Sequence, residues 1–304
     1  MLATLVSTLL LSQIVAPPIY TKSITKPDGI VQMQTAAQRF TAEGKPDVWL
    51  VGVVHIGEKQ YYADLVKLLD AQNLVLFEGV KPSAKAPAPP ADTRAQTPIY
   101  KALSDALGLE FQSTQVNTQR PNWVNSDLSW DDLDKLNKEK NGDKAGAFDQ
   151  LKQALDPTSA MGKQLVTLLQ TATPGLKEGI KMVLVKTVAS GKGPELDKGV
   201  QEIILEARNQ SVMDVFAKTV KAESAPKSVA IFWGAMHMPG LQKSLAGLYG
   251  YKPAETKWFH AASADPAKMD ATGKMIVDMF EKRADPPKSG GGLTLWRPAI
   301  AAMF

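Results

Sequence analysis

The stretch Asp47-Val-Trp-Leu-Val-Gly-Val-Val-His-Ile-Gly57 decides the fold of this chain. Its first part, from Val48 to Val51, is an apolar run of strand length that ends at Gly52. His55 follows three residues after that glycine, and the pattern from Glu58 to Asp70 predicts a helix. A buried strand, a turn relaxed by glycine and a helix deliver a histidine to the carboxyl end of the strand. In open α/β sheets, ligands bind at that end.

A second stretch, Val229-Ala-Ile-Phe-Trp-Gly-Ala-Met-His-Met-Pro-Gly240, repeats this arrangement near the other end of the chain. An apolar run again meets Gly-x-x-His, here Gly234 and His237, and a helix-like segment follows over 241–248. The chain has three histidines, and two of them occupy this frame. The third, His260, has no such frame, which favours a structural or surface role. We therefore expect an α/β fold whose central, mostly parallel sheet is built from two strand–GxxH–helix units.

Composition excludes several classes of function. The net charge of +4 comes from 35 basic and 31 acidic residues with no dense basic run between aromatic residues, so nucleic acid is a poor candidate partner. The chain has no cysteine, which excludes disulfides, thiolate metal sites and cysteine nucleophiles. With 304 residues the chain can bury a sizeable core, and we expect a single α/β domain over 17–304.

The N-terminal segment from Leu2 to Ala16 is almost wholly apolar or hydroxyl-bearing, and Pro17-Pro18 ends it. It is shorter than a typical transmembrane helix, and its length and composition resemble the apolar region of a signal peptide. We therefore predict a signal peptide over 1–16, export to the periplasm or the outside, and no stable membrane span after its removal. The alternative is an N-terminal helix that packs on the domain.

The remaining elements are read from apolar periodicity and from turn residues. Strands are predicted over 29–41 and 73–80, and the segment 117–127 reads as irregular. Ser129 is a candidate helix cap, because an acidic residue follows three positions later. Helices are predicted over about 99–107, 145–155, 159–172, 175–190, 195–222 and 267–281. We interpret 99–190 as a helical insertion and about 284–304 as a flexible C-terminal tail.

Two charged residues lie where apolar neighbours predict burial. Glu78 ends the second predicted strand, and a carboxylate there is costly unless it is paired; the alternative is that it turns to solvent. Arg208 shares a helical stripe with Ile204 and Val212, so either its stem reaches water or its guanidinium meets a carboxylate or a ligand. Glu78 is the expected partner, in a bidentate pair.

The ordered motifs resemble the TraB/PrgY/GumN family, which includes the Tiki proteases and is more distantly similar to erythromycin esterases and ChaN-type haem-binding proteins. The resemblance covers roughly 47–80 and 195–252. It rests on Gly52-x-x-His55, Glu78, Ala207-Arg208-Asn209 and Gly234-x-x-His237. The family has Glu-Arg-Asn where this chain has Ala207, and Glu206 lies one position earlier.

Two equivalent units can bring His55 and His237 together at one edge of the sheet, and Glu78 can join them. Two histidines and a glutamate form a ligand set of the open catalytic zinc type. The resemblance to Tiki implies Mn or Co instead, and the ligand types do not choose among these metals. A bound metal would activate water and polarise a carbonyl, and Arg208 could then stabilise the oxyanion. The expected substrate-binding positions are Gly52, Asn209 and Gly234.

The leading hypothesis is therefore a metal-dependent hydrolase, peptidase-like or esterase-like, that acts on a small peptide or ester. One alternative is a metal-free esterase in which His55 is the general base and Glu78 orients it. Another is a non-catalytic binding or signal-quenching protein that captures a small peptide, pheromone or haem-like ligand.

Overall fold

The computed structural model describes residues 19–84, 98–142, 159–190 and 198–282. The predicted signal peptide, the predicted helix over 145–155 and the predicted tail over about 284–304 lie outside these ranges. Among the helices that are described, none has the length and apolar character needed to cross a membrane.

Helices connect the parallel strands of the described chain, which is typical of an α/β protein. The strands are β1 Thr21–Thr25, β2 Val31–Thr41, β3 Asp47–Val53, β4 Ile56–Gly57, β5 Leu74–Phe77, β6 Glu110–Phe111, β7 Trp123–Asn125, β8 Ser228–Gly234 and β9 Lys252–Ala264. The α-helices are α1 Lys59–Asp70, α2 Pro98–Leu107, α3 Gln112–Gln115, α4 Trp130–Asn141, α5 Ala160–Thr171, α6 Pro174–Ala189, α7 Lys198–Gln201, α8 Arg208–Lys221, α9 Met238–Tyr249 and α10 Ala271–Lys282. A π-helical segment, Glu202–Ala207, joins α7 to α8, and 3-10 turns lie at Ala235–His237 and Pro266–Lys268.

Seven of these strands form one mixed sheet. Strands β3, β8, β5 and β7 are parallel and adjacent in that order, while β2 pairs antiparallel with β1, β3 and β9. The two GxxH units therefore supply neighbouring strands, in register from Asp47 beside Ser228 to Val53 beside Gly234. The predicted α/β fold with a mostly parallel sheet is confirmed.

Apolar side chains bury both faces of the central strands. Because successive side chains of a strand point to opposite faces, Trp49, Val51 and Val53 of β3 join one core cluster, and Val48 and Leu50 join the other. Helices α1, α6 and α10 contribute to the first cluster, while α8 and α9 contribute to the second. Burial on two faces explains why β3 and β8 read as continuous apolar runs rather than as alternating ones.

The region predicted as a helical insertion also adds to the sheet. Strand β7 lies inside the segment that read as irregular, and it pairs in parallel with β5. Three residues are too few to show a two-residue period, so the pattern could not reveal this strand. Its Trp123 is buried and packs near Phe77 and Phe232. The helix cap predicted at Ser129 is confirmed, since Ser129 and Asp132 form a reciprocal capping box.

The predicted helix over 195–222 is one helical segment from 198 to 221 with a wider π-helical turn in its middle. The π-helical residues end immediately before Arg208. Such insertions into a helix are frequent at functional sites, and this one changes the rotation of the helix where Arg208 begins to contact the sheet.

Candidate functional site

His55, Glu78 and His237 follow three neighbouring parallel strands. His55 comes two residues after β3, Glu78 directly follows β5, and His237 comes three residues after β8, which lies between the other two strands. Since the carboxyl ends of parallel strands meet at one edge of the sheet, the three residues share that edge. This is the placement expected from the two GxxH frames.

Both oxygens of the Glu78 carboxylate are engaged by the protein. Oε1 accepts a hydrogen bond from Nη2 of Arg208 at 2.6 Å, and Oε2 accepts one from the backbone N–H of Gly234 at 2.5 Å. The Glu78 side chain is only 7% exposed, so it turns inward and not to solvent. The glycine of the second GxxH frame thus contributes its main chain to the site.

The bidentate partner of Arg208 is Asp127, which corrects the expectation that Glu78 would take this place. Nε of Arg208 donates to Oδ1 of Asp127 at 2.9 Å, and Nη2 donates to Oδ2 at 2.6 Å. The buried Asp127 also accepts from the backbone N–H groups of Gly79 at 3.1 Å and Leu128 at 2.8 Å. Sequence reasoning missed Asp127, because it lies in the segment that read as irregular.

Attraction between opposite charges favours the ionised forms of Glu78 and Arg208. Burial raises the pKa of Glu78, but three effects together outweigh it and lower the pKa to about 2: the charge of Arg208, the attraction of His237 and His55 when these rings are protonated, and the hydrogen bond from the Gly234 N–H. Burial lowers the pKa of Arg208, but the attraction of Glu78 and Asp127 together has the larger effect. The pKa therefore lies above its ordinary value. Two carboxylates and one guanidinium therefore leave this buried cluster with one net negative charge.

His237 is buried and neutral. Its pKa falls to about 3, because burial outweighs the attraction of Glu78, and Arg208 and His55 lower the pKa further. Nδ1 of His237 lies 2.7 Å from Oδ1 of Asn209. An amide oxygen can only accept, so Nδ1 carries the proton and Nε2 carries the lone pair. That Nε2 atom lies 3.7 Å from Oε1 of Glu78, which is too long for a direct hydrogen bond.

His55 is half-buried and is held by a different residue. Its Nδ1 lies 2.8 Å from Oε1 of Gln112, and its backbone carbonyl accepts the N–H of Gln112 at 2.8 Å. When protonated, the His55 ring lowers the pKa of both Glu78 and His237, so it lies within electrostatic range of both side chains. Sequence reasoning also missed Gln112.

Three residues predicted as substrate-binding have structural contacts in this site. Gly234 donates its N–H to Glu78, and Asn209 meets His237. A Cβ at Gly52 would lie 3.3 Å from Met238, so the glycine permits close packing of the two GxxH units. None of these contacts requires a substrate.

Trp233 forms a wall of the site. Its ring lies edge-on to His237, with centroids 5.1 Å apart, and its centroid is 5.4 Å from the guanidinium carbon of Arg208. Its Nε1 donates to Oγ of Ser126 at 3.2 Å. The position of Trp233 at the end of an apolar run, directly before the glycine of the frame, is the signal that could have found it.

The predicted metal ligands fit a cation in their chemistry but only partly in their geometry. His237 and Glu78 offer two acceptor atoms 3.7 Å apart. Two ligand atoms that each lie about 2.1 Å from one tetrahedral metal ion would be roughly 3.4 Å apart. Within the ranges that the structure describes, however, no three histidine, aspartate or glutamate side chains form a group that could hold a metal. His55 is thus near this pair without completing a ligand set.

Comparison with known proteins identifies no matching family model, no similar curated protein and no similar solved structure.

Proposed function

We propose that this chain is a hydrolase that binds a divalent cation at His237 and Glu78, with His55 as a third ligand, and acts on a peptide or ester carbonyl of a small substrate. The observation that carries this proposal is the short distance between two acceptors. Nε2 of neutral His237 and Oε1 of Glu78 lie 3.7 Å apart inside a buried cluster with net negative charge.

Two acceptors at this distance are stabilised when a cation or a hydrogen-bond donor lies between them. A divalent cation suits this position in charge, because Glu78, Asp127 and Arg208 together carry one net negative charge in a buried setting. It also suits the donor atoms, since imidazole nitrogen and carboxylate oxygen bind Zn, Mn and Co. The resemblance of the ordered motifs to the TraB/PrgY/GumN family supports the same reaction class.

When bound, such a cation lowers the pKa of a coordinated water and polarises a substrate carbonyl. The chain's own residues supply orientation. Asn209 fixes the ring of His237, and Gly234 and Arg208 fix the two oxygens of Glu78. Since Nε and Nη2 of Arg208 are committed to carboxylates, its first role is to position Glu78.

Metal analysis of the purified protein tests this proposal. We expect Mn, Co or Zn to bind in about one equivalent per chain. His237→Ala and His55→Ala should each reduce the bound metal and any hydrolysis of a peptide or ester panel. His260→Ala is the matched control, because His260 lies on β9 and its ring contacts Ser263 and Glu58. If both site variants retain the metal content of the wild type, the proposed ligand set is wrong.

A metal-free hydrolase is the second candidate, and the geometry of His55 favours it. His55 is the more exposed of the two site histidines, it is oriented by Gln112, and it lies outside any three-residue ligand group in the part of the chain that is described. Hydrolysis that survives exhaustive chelation but is lost in His55→Ala would favour this mechanism. Ligand binding without turnover would favour a capture protein instead.

A further inference from the structure

Gln112 contacts His55 through both its main chain and its side chain. The N–H of Gln112 donates to the carbonyl oxygen of His55 at 2.8 Å, and Oε1 of Gln112 lies 2.8 Å from Nδ1 of the same histidine. Gln112 begins α3, inside the region that the sequence suggested was an insertion between the two halves of the sheet. One residue of that region therefore fixes both the backbone and the ring of a site histidine.

The identity of the contacting atom determines the proton position on His55. An amide oxygen has no hydrogen to donate, so Nδ1 of His55 must carry the proton in the neutral ring, and Nε2 keeps its lone pair. Asn209 imposes the same arrangement on His237, at 2.7 Å. Two amide oxygens from different elements thus select the same tautomer in both histidines, and both rings present Nε2 as an acceptor.

The segment that carries Gln112 is attached on both sides of His55. Strand β6 pairs with β4, which begins at the residue after His55, and the register places Phe111 opposite Ile56. Before His55, the hydroxyl of Tyr62 donates to the carbonyl oxygen of Val54 at 3.0 Å and lies 3.5 Å from that of Glu110. These contacts hold the Gln112 segment against the loop of the first GxxH frame.

We propose that Gln112 is a positioning residue that fixes His55 in the Nδ1–H tautomer, and that the pairing of β6 with β4 holds Gln112 in place. This orientation is what a metal-ligating histidine needs, since the second ring nitrogen is ordinarily tied to an acceptor. A histidine that acts as a base through Nε2 needs it equally. The importance of the tautomer for catalysis rests on the proposed function, whereas the tautomer itself does not.

Nitrogen-15 NMR of the imidazole rings tests this proposal in the full chain without metal or substrate. The chain has three histidines, so the spectrum is simple and each ring can be assigned by substitution. At a pH where the imidazoles are neutral, we expect Nδ1–H signatures for His55 and His237. Gln112→Leu removes the acceptor and should shift His55 toward the Nε2–H form, which free imidazoles prefer, while His237 is unchanged.

Two further variants separate positioning from a general structural effect. Gln112→Glu retains an acceptor oxygen and should restore the Nδ1–H form of His55. Gln115→Leu alters the same short helix, where Gln115 donates to Glu110 at 3.0 Å, and should leave His55 unchanged. If His55 shows the Nε2–H form in the wild type, or the same tautomer in wild type and Gln112→Leu, the proposal is wrong.

The outcomes for Gln112 and for the hydrolase proposal are independent. A tautomer change in Gln112→Leu in a protein that binds no metal and hydrolyses nothing would support the positioning role and contradict the proposed function. An unchanged tautomer in a protein that loses its metal in His55→Ala would support the function and contradict the positioning role.

Discussion

Arg208 donates two hydrogen bonds to Asp127 but only one to Glu78. Nη2 takes part in both ion pairs, so the guanidinium links a carboxylate after β5 to a carboxylate after β7. All three side chains are at most 9% exposed. The position of Glu78 at the edge of the sheet therefore depends on Asp127, because both carboxylates accept from Nη2 of Arg208.

Arg208→Ala should destabilise the protein by about 3–5 kcal/mol, because it leaves two buried carboxylates without their cation. Arg208→Lys should damage the site more than the fold, since a compact ammonium cannot reproduce the planar fork that meets both partners. Urea unfolding of both variants, beside metal content, checks these expectations. An Arg208→Ala protein that unfolds like the wild type and keeps its metal would contradict them.

Asp127→Asn keeps the size of the side chain but places a donor against the donors of Arg208. We expect a loss of about 1–3 kcal/mol in the free energy of unfolding, together with weaker metal binding as Glu78 loses its fixed partner. The matched control is Asp214→Asn, because Asp214 is exposed on α8 and accepts only from Gln210 among the contacts seen. That control should change stability by no more than about 0.5 kcal/mol. Equal effects of the two substitutions would show that Asp127 is unimportant.

Two glycines on α9 offer opposite outcomes for the same substitution. A Cβ at Gly240 would lie 2.5 Å from Nδ2 of Asn209, so Gly240→Ala should displace Asn209 and release the ring of His237. A Cβ at Gly247 would meet nothing within 4 Å, and Gly247→Ala should stabilise the helix by about 0.5–1 kcal/mol.

Thermal unfolding and the nitrogen-15 spectrum of His237 distinguish the glycine variants. We expect the His237 signals to shift in Gly240→Ala and to match the wild type in Gly247→Ala. Identical His237 signals in all three proteins would mean that Gly240 does not support Asn209.

Acid should destabilise the protein through His237 before it does so through Glu78. Burial lowers the pKa of His237 from 6.5 to about 3, so between these values the unfolded chain takes up a proton that the folded chain refuses. The contribution of neutral His237 to the free energy of unfolding is thus fully present above pH 6.5. It decreases as the pH falls, by up to about 1.4 kcal/mol per pH unit for one proton. The pKa of Glu78, lowered from 4.5 to about 2, adds a second loss of the same sign below 4.5.

The measurement is the free energy of unfolding from urea melts across pH 6.5 to 4.5, the part of the window that belongs to His237 and not to Glu78. We expect His237→Gln to flatten the dependence there and His260→Gln to preserve it. The same slope in His237→Gln as in the wild type would assign the acid sensitivity to other groups.

Local sequence signals predicted the half of the site that lies on the central strands. Each GxxH frame combines a strand, a glycine and a histidine within about ten residues, so its pattern encodes the place of His55 and His237 directly. Glu78 was equally visible, because a carboxylate at the end of an apolar run needs a partner. The expectation of a partner for Arg208 followed from the same cost of burial.

The residues that orient this site have no comparable local signal. Asp127 follows a strand of three residues, and Gln112 begins a helix of four, so neither element is long enough to show a period. The place of Arg208 also depends on the π-helical turn before it, whereas its predicted burial assumed a regular helix. Tertiary contacts, not sequence periodicity, decide these three positions.

The pairing of β3 with β8 has a consequence for how the protein folds. Val53 and Gly234 are neighbours in the sheet, yet about 180 residues separate them along the chain. Contacts between such distant segments form slowly, because a long loop must close before any pairing stabilises it. During synthesis, β3 therefore lacks its parallel neighbour until β8 has left the ribosome. Its unpaired apolar edge can lead to aggregation during that time.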